Sequence, residues 1–169
     1  MATVSDRYLV RRGEPLDDDF ILDSYYKMYL EMGFKAEEIS PDWRKHTLDT
    51  LNKNRQELEA MTFVATDIQT NKVVGCGVCQ LHNTDSLHPH IFNYSRIREG
   101  YIWSIYVEPT HRRHGLATQL VAACNDYFRD IGVTVSRLFA SNAGRPVYEG
   151  LGFAQVNEFC VDMSLSLPK

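Results

Sequence analysis

The chain has 169 residues, enough for one domain (1–169) with a sizeable core. Hydrophobic residues make up 44% and charged residues 24%, an ordinary globular composition, and no run of about 18 apolar residues is present to cross a membrane. A formal net charge of −4 argues against a general nucleic-acid binder, and the polar segment Met1 to Glu14 lacks the apolar core of a signal peptide, so the expected setting is cytoplasmic, with neither nucleic acid nor membrane as partner.

Tyr8 to Arg12 reads as a short strand, closed by Gly13 and Pro15. Leu16 to Met32 reads as a helix: Phe20, Ile21, Tyr25, Met28 and Met32 recur near a 3.6-residue period, and Gly33 supplies the stop. Ser40-Pro41-Asp42 has the form of a helix start, with Ser as N-cap and Pro at the first helical position; the polar helix it opens runs to about Ala60. Met61 to Thr66 and Lys72 to Leu81 are strands joined by the turn signal Gln69-Thr70-Asn71. His82 to Glu99 is a long polar loop, of the kind that is usually functional in a compact domain. Tyr101 to Val107 is a strand rich in aromatic and β-branched residues. Gly115 to Asp130 is a helix with Leu116, Leu120, Val121, Cys124 and Tyr127 along one side. Val133 to Ala140 is a strand, Gly144 to Leu151 a short helix, and Phe153 to Asn157 and Phe159 to Leu165 are terminal strands. The strand–helix–strand passage over 101–140 requires a right-handed parallel crossover, whereas the earlier neighbours suit hairpins. The predicted fold class is therefore α/β: one mixed sheet with helices on both faces.

Cys76-Gly77-Val78-Cys79 has the spacing of a metal or redox motif, but it lies in a predicted strand. Positions i and i+3 of a strand face opposite sides, so these thiols neither share a metal nor form a disulfide. No second C-x-x-C completes a zinc site.

The run Ile105-Tyr106-Val107-Glu108-Pro109-Thr110-His111-Arg112-Arg113-His114-Gly115-Leu116-Ala117 carries the most information. An apolar strand ends at Glu108-Pro109, a basic loop with a glycine follows, and a helix begins. A helix start offers unpaired N–H groups and the positive end of the macrodipole, which together bind phosphate. Arg112 and Arg113 add charge at the same place. The chain has neither a Gly-Lys dipeptide for a P-loop nor a G-x-G-x-x-G dinucleotide fingerprint.

Arg112-Arg113-His114-Gly115-Leu116-Ala117 has the form [R/Q]-x-x-G-x-[G/A], and Ser141-Asn142-Ala143 followed by Tyr148 and Leu151-Gly152-Phe153 has an "N…A…Y…LGF" form. In these two elements, and in element order along the chain, the sequence resembles the GCN5-related N-acetyltransferase (GNAT) superfamily. The resemblance implies a sheet splayed between its fourth and fifth strands, acetyl-CoA as acyl donor, no metal, and a primary amine as acceptor. It implies that backbone N–H groups of Arg113, His114, Gly115, Leu116, Ala117 and Thr118, with Arg112 beside them, hold the pyrophosphate. Gly115 has no Cβ to keep the backbone away, and Ala117 is small. Ile105, Tyr106 and Val107 would pair with the pantetheine arm as an added strand would. Asn142 would hydrogen-bond the cofactor or the turn that carries the tyrosine, and Tyr148 would be the general acid that assists the leaving thiolate.

For the general base, Glu99 is the acidic residue just before the fourth strand; His88, His90 and water are the alternatives, and Glu108 reads as a turn residue. His82, His88 and His90 as a metal site is the weaker reading. Tyr101, Trp103, Phe92 and Tyr94 could line an acceptor cleft, though strand aromatics usually serve the core. Asp17, Asp18, Asp19, Glu37 and Glu38 could attract a cationic amine, against the simpler role of a solvated helix face. No cysteine is placed to carry an acyl intermediate, so direct attack in a ternary complex is expected. The acceptor stays open among small-molecule amines, protein N-termini and lysine side chains, and a homodimer is compatible with all of these. The rival reading is a non-catalytic acyl-CoA-binding module, which keeps Arg112 to Thr118 but needs neither Tyr148 nor an acceptor cleft.

Overall fold

Five strands form one sheet in the order β1-β2-β3-β4-β5: Tyr8–Arg12, Met61–Asp67, Lys72–Leu81, Glu99–Val107 and Val135–Arg137. The first three junctions are antiparallel and β4–β5 is parallel, as the crossover through the helix after β4 requires. The computed structural model describes residues 7–82 and 98–155, which divide into two compact units, Met1–Phe139 and Ala140–Lys169. The first unit holds the sheet, α1 (Asp18–Glu31), α2 (Trp43–Glu57) and α3 (Leu116–Asp130); the second holds α4 (Arg145–Gly150).

Alternation along the strands sorts the helices to the two faces. Cys76, Val78 and Tyr106 pack with Ile21 of α1, Leu51 of α2 and Val64 of β2. The intervening positions turn to α3: the space above Gly75 and Gly77 is bounded by Leu120, with Cys124 also over Gly77, and that above Gly100 by Phe128. Burying a side chain of this size stabilises by roughly 1.5–3 kcal/mol relative to leaving it in water. Ile21, Leu22, Leu51, Leu116, Leu120 and Phe128 all reach near-complete burial. Gly100 shows how closely β4 and α3 approach. A Cβ there would lie 2.4 Å from Cζ of Phe128, so only glycine fits beneath that ring.

Several predicted boundaries move, each for a local reason. The first helix starts at Asp18 rather than Leu16, because Pro15–Asp17 forms a separate 3-10 turn. Its Asp17 carboxylate accepts the Glu14 N–H at 2.8 Å. The second helix starts at Trp43: Ser40 does not cap it, but its Oγ accepts the Asp42 N–H at 3.3 Å, closing a turn one step earlier. The turn at Gln69-Thr70-Asn71 forms as predicted, with Asn71 at φ 54° and Asp67 Oδ1 accepting the Gln69 N–H. The predicted strand Val133 to Ala140 shrinks to Val135–Arg137, since its pairing with β4 ends at Tyr101↔Arg137. Residues 153–155 form no strand; the rest of the two predicted terminal strands lies outside the described residues.

The cysteines behave as strand geometry requires. Cys76 belongs to the core on the α1 side, while Cys79 meets Cys124 of α3 on the other. All three are buried free thiols, and burial pushes the Cys76 thiol up to about 12. Asp17, Asp18 and Asp19 are each paired with an arginine. Arg11 takes both oxygens of buried Asp17 at 2.7 and 2.9 Å, Arg55 both oxygens of Asp18 at 2.7 and 2.6 Å, and Arg44 bridges Asp19 and Asp23.

In the second unit, Ser141 accepts the Gly144 N–H through both its carbonyl and its Oγ, and α4 follows with Pro146 in its first turn. Gly152 at φ 89° ends the helix, and the Phe153 N–H returns to Tyr148 O at 3.0 Å.

Candidate active site

Beyond Tyr101 the two central strands part. β4 and β5 pair only at Glu99↔Val135, Gly100↔Ser136 and Tyr101↔Arg137. From Ile102 to Val107, β4 keeps β3 on one side and, among the described residues, has no strand on the other. On the β3 side the register slips: Val78 faces Trp103 but Cys76 faces Tyr106, so β4 carries one extra residue. Ser104 sits in this bulge at φ 55°, a backbone region costing roughly 1–2 kcal/mol for a residue with a Cβ. The bulge resets alternation. Trp103 and Tyr106 both join the core on the α1 side, while Ile105 reaches over Gly77 on the α3 side. The Ser104 hydroxyl is buried without a hydrogen-bond partner among the described residues.

The chain leaves β4 through a 3-10 turn, Pro109–His111, held by the Glu108 N–H on Val74 O at 2.8 Å. Glu108 is a turn residue, as read from the sequence, and its carboxylate takes Lys27 at 2.7 Å. Arg113 and Gly115 then adopt left-handed φ values of 66° and 76°. The first hydrogen bond of α3 runs from the Gln119 N–H to Gly115 O at 3.1 Å. No backbone carbonyl among the described residues accepts the N–H groups of 113–118. Unpaired N–H groups at a helix start are the kind that gather anions. The surface above it is open: a Cβ on Gly115 would meet nothing nearer than Gln119 Nε2 at 3.9 Å.

Neighbouring side chains brace the loop. Arg112 donates Nε to Val107 O at 2.8 Å and Nη2 to both oxygens of Glu31 at 2.8 and 2.9 Å, with its guanidinium 5.5 Å from the Tyr106 ring centroid. The expected phosphate-side Arg112 is thus tied to α1. Arg113, by contrast, is exposed and forms no ion pair among the described residues. His114 Nδ1 donates to Arg112 O at 2.8 Å, and Tyr8 meets both His111 and His114. Leu116 is buried and anchors the helix start; Ala117 is half-buried and Thr118 exposed.

The other predicted residues are placed as follows. Tyr101 and Trp103 lie on one face of β4 with Tyr25 against Trp103 at 5.5 Å and Tyr29 against Tyr25 at 5.0 Å. Glu99 is mostly buried and doubly engaged: Arg137 donates to its two oxygens at 2.8 and 2.7 Å, and His82 Nδ1 lies 3.2 Å from Oε2. Arg137, then His82, hold this carboxyl below the usual carboxylate range against the opposing effect of burial. In the second unit, Asn142 is exposed in the turn before α4. Tyr148 is half-buried, its ring 6.1 Å from Phe153. His88, His90, Phe92 and Tyr94 lie outside the described residues. The sequence reading missed the loop clamp at Glu31, the bulge at Ser104 and the partners of Glu99. Each depends on residues 17 to 81 positions apart, or on register, and leaves no local signal.

The chain matches the model of the acetyltransferase (GNAT) family over residues 22–153, and it belongs to that family. Among solved structures, a predicted acetyltransferase with acetyl-CoA from Clostridium acetobutylicum is similar at a TM-score of 0.74 and 22% identity, covering 93% of this chain and 96% of that one. A GCN5-related N-acetyltransferase from Ralstonia eutropha JMP134 also gives 0.74, at 19% identity, covering 92% and 98%. Glucosamine-6-phosphate N-acetyltransferase from Arabidopsis thaliana gives 0.64 at 13% identity, covering 96% and 100%. At these identities the likeness establishes the fold. No curated protein matches the sequence significantly. No group of three His, Cys, Asp or Glu among the described residues could hold a metal, and no helix among them is long and apolar enough to cross a membrane.

Proposed function

We propose that this chain transfers an acetyl group from acetyl-CoA to a primary amine by direct attack in a ternary complex. One observation carries the reading: among the described residues, the N–H groups of 113–118 have no backbone carbonyl partner, beside an open surface. That arrangement fits a pyrophosphate. Interactions of an anion with a helix start contribute roughly 0.3–2 kcal/mol each. The edge of β4 at Ile105 to Val107, which no described strand covers, fits the strand-like pairing of a pantetheine arm, although Val107 O already accepts from Arg112. Bound acetyl-CoA supplies an activated acyl carbon with a thiolate as leaving group. Arg113 adds positive charge at the phosphates, while Arg112 holds the loop in shape against α1. Tyr148, matched by motif, donates a proton to the sulfur, and Asn142 supports its turn. The buried thiols at Cys76, Cys79 and Cys124 favour direct attack over a covalent acyl-enzyme.

The test is acetyl-CoA turnover against a panel of small amines, polyamines, aminosugars and peptides, paired with calorimetry of CoA binding. Binding with turnover of at least one amine is expected. Binding without turnover of any would mark a non-catalytic acyl-CoA-binding module. With the best acceptor, Tyr148→Phe should lower kcat by about 10²-fold, the low end for general acid help, while CoA affinity holds. An unchanged kcat where chemistry limits would make Tyr148 a packing residue.

A further inference from the structure

His82 stands where the sheet begins to open. It follows the last residue of β3, and its N–H donates to Glu99 O at 2.9 Å, extending the β3–β4 ladder by one step. Its ring stacks on Tyr101 with centroids 5.6 Å apart and planes 28° apart. Tyr101 is the last β4 residue paired with β5. The ring is therefore packed against the residue at which the two strands part, and its side chain remains 38% exposed.

The ring's environment decides which nitrogen carries the proton. Glu99 Oε2 lies 3.2 Å from Nδ1, and the same carboxylate takes both hydrogen bonds of Arg137, Nε to Oε2 and Nη2 to Oε1. A carboxylate held ionised by a guanidinium only accepts, so Nδ1 must be the donor. Nε2 is then left with its lone pair. A carboxylate on Nδ1–H fixes both tautomer and ring orientation, and among the described residues Nε2 has no hydrogen-bond partner. Glu99 itself is a poor base, because both its oxygens are occupied and Arg137 lowers its proton affinity.

We infer that His82 Nε2 is the proton acceptor for the amine substrate, with Glu99 as the positioning residue that Arg137 keeps ionised. The inference rests on the transferase reading above. An ammonium substrate gives one proton to Nε2, and the freed lone pair forms the C–N bond. The C–S bond breaks and its electron pair leaves on sulfur. Of the two protons the nitrogen loses, His82 passes the first to solvent; the second is balanced by the one that sulfur gains. Among the described residues, the groups facing His82 from the packed elements are Glu99 of β4, with Arg137 of β5 behind it, and the Tyr101 ring.

The experiment measures kcat/KM against pH for the wild type, His82→Gln and His82→Ala with the best acceptor amine, alongside calorimetry of CoA binding and thermal unfolding. The wild-type kcat/KM should rise with pH, as a general base requires. His82→Gln should lose that rise and fall roughly 10²-fold or more at neutral pH, the span of general base help, while CoA affinity and unfolding temperature hold. Imidazole added to His82→Ala should restore part of the rate. A His82→Gln profile that keeps the wild-type rate and rise overturns the assignment and leaves the transferase reading standing. A wild type that binds CoA but acetylates no amine overturns both.

Discussion

The two halves of β4 are built for opposite purposes. From Glu99 to Tyr101 the strand is paired on both sides, Gly100 lies under the Phe128 ring, and the Glu99 carboxylate is closed by Arg137 and His82. From Ile102 to Val107 it is paired, among the described residues, on one side only, carries a bulge at a left-handed Ser104, and leads into a loop whose N–H groups have no backbone acceptor among those residues. The first half spends its polar and apolar groups on internal contacts. The second leaves an edge, a strained residue and a helix start unsatisfied, at a cost that a bound ligand can offset.

The comparison breaks most visibly at Gly100. Even Gly100→Ala places a methyl 2.4 Å from a ring carbon that is buried and cannot swing aside. Overpacking of this kind destabilises by about 1–3 kcal/mol, read as a lower urea midpoint with an unchanged m value. An unaltered midpoint would mean that β4 and α3 are not locked there.

At the open end, Gly115→Val should act on binding. Its Cβ enters open space, so no protein atom opposes it, but the left-handed backbone costs a β-branched residue about 1–2 kcal/mol and the side chain stands over the N–H cluster. Acetyl-CoA affinity should fall about tenfold or more, about 1.4 kcal/mol, with a smaller loss of stability. Unchanged affinity by calorimetry would remove 113–118 as the phosphate seat.

The smallest effect is confined to acid. Glu99 is held below its ordinary pKa by Arg137, so its stabilising contribution is present above the usual Glu range, near about pH 4.3, and is lost as pH falls through the lower folded value. Unfolding temperatures measured from neutral pH downward should therefore drop more steeply for the wild type than for Glu99→Gln in that window. Parallel curves would mean that the Arg137 pair contributes nothing measurable.

Local sequence determined more of this protein than its small size suggests. The β4–loop–α3 segment was legible because its chemistry is local: the apolar run, the basic turn, a glycine and an amphipathic helix follow one another within Glu99 to Asp130. The crossover around it follows from chain handedness. Opposite facing of Cys76 and Cys79 follows from the two-residue period of a strand. Tertiary structure decided the rest. Arg112 reads as a phosphate ligand in sequence, but Glu31, 81 positions away, claims it. Asp17, Asp18 and Asp19 read as a free acidic face until Arg11, Arg55 and Arg44 reach them. Glu99 reads as a candidate base until Arg137 and His82 close on it. The side-chain directions after Ser104 depend on one extra residue in the ladder, which no pattern of residue types announces. Periodicity reports which face a residue takes while the register is unbroken. Which charge meets which, and where a strand slips, depends on the approach of distant segments, and only the folded chain brings them together.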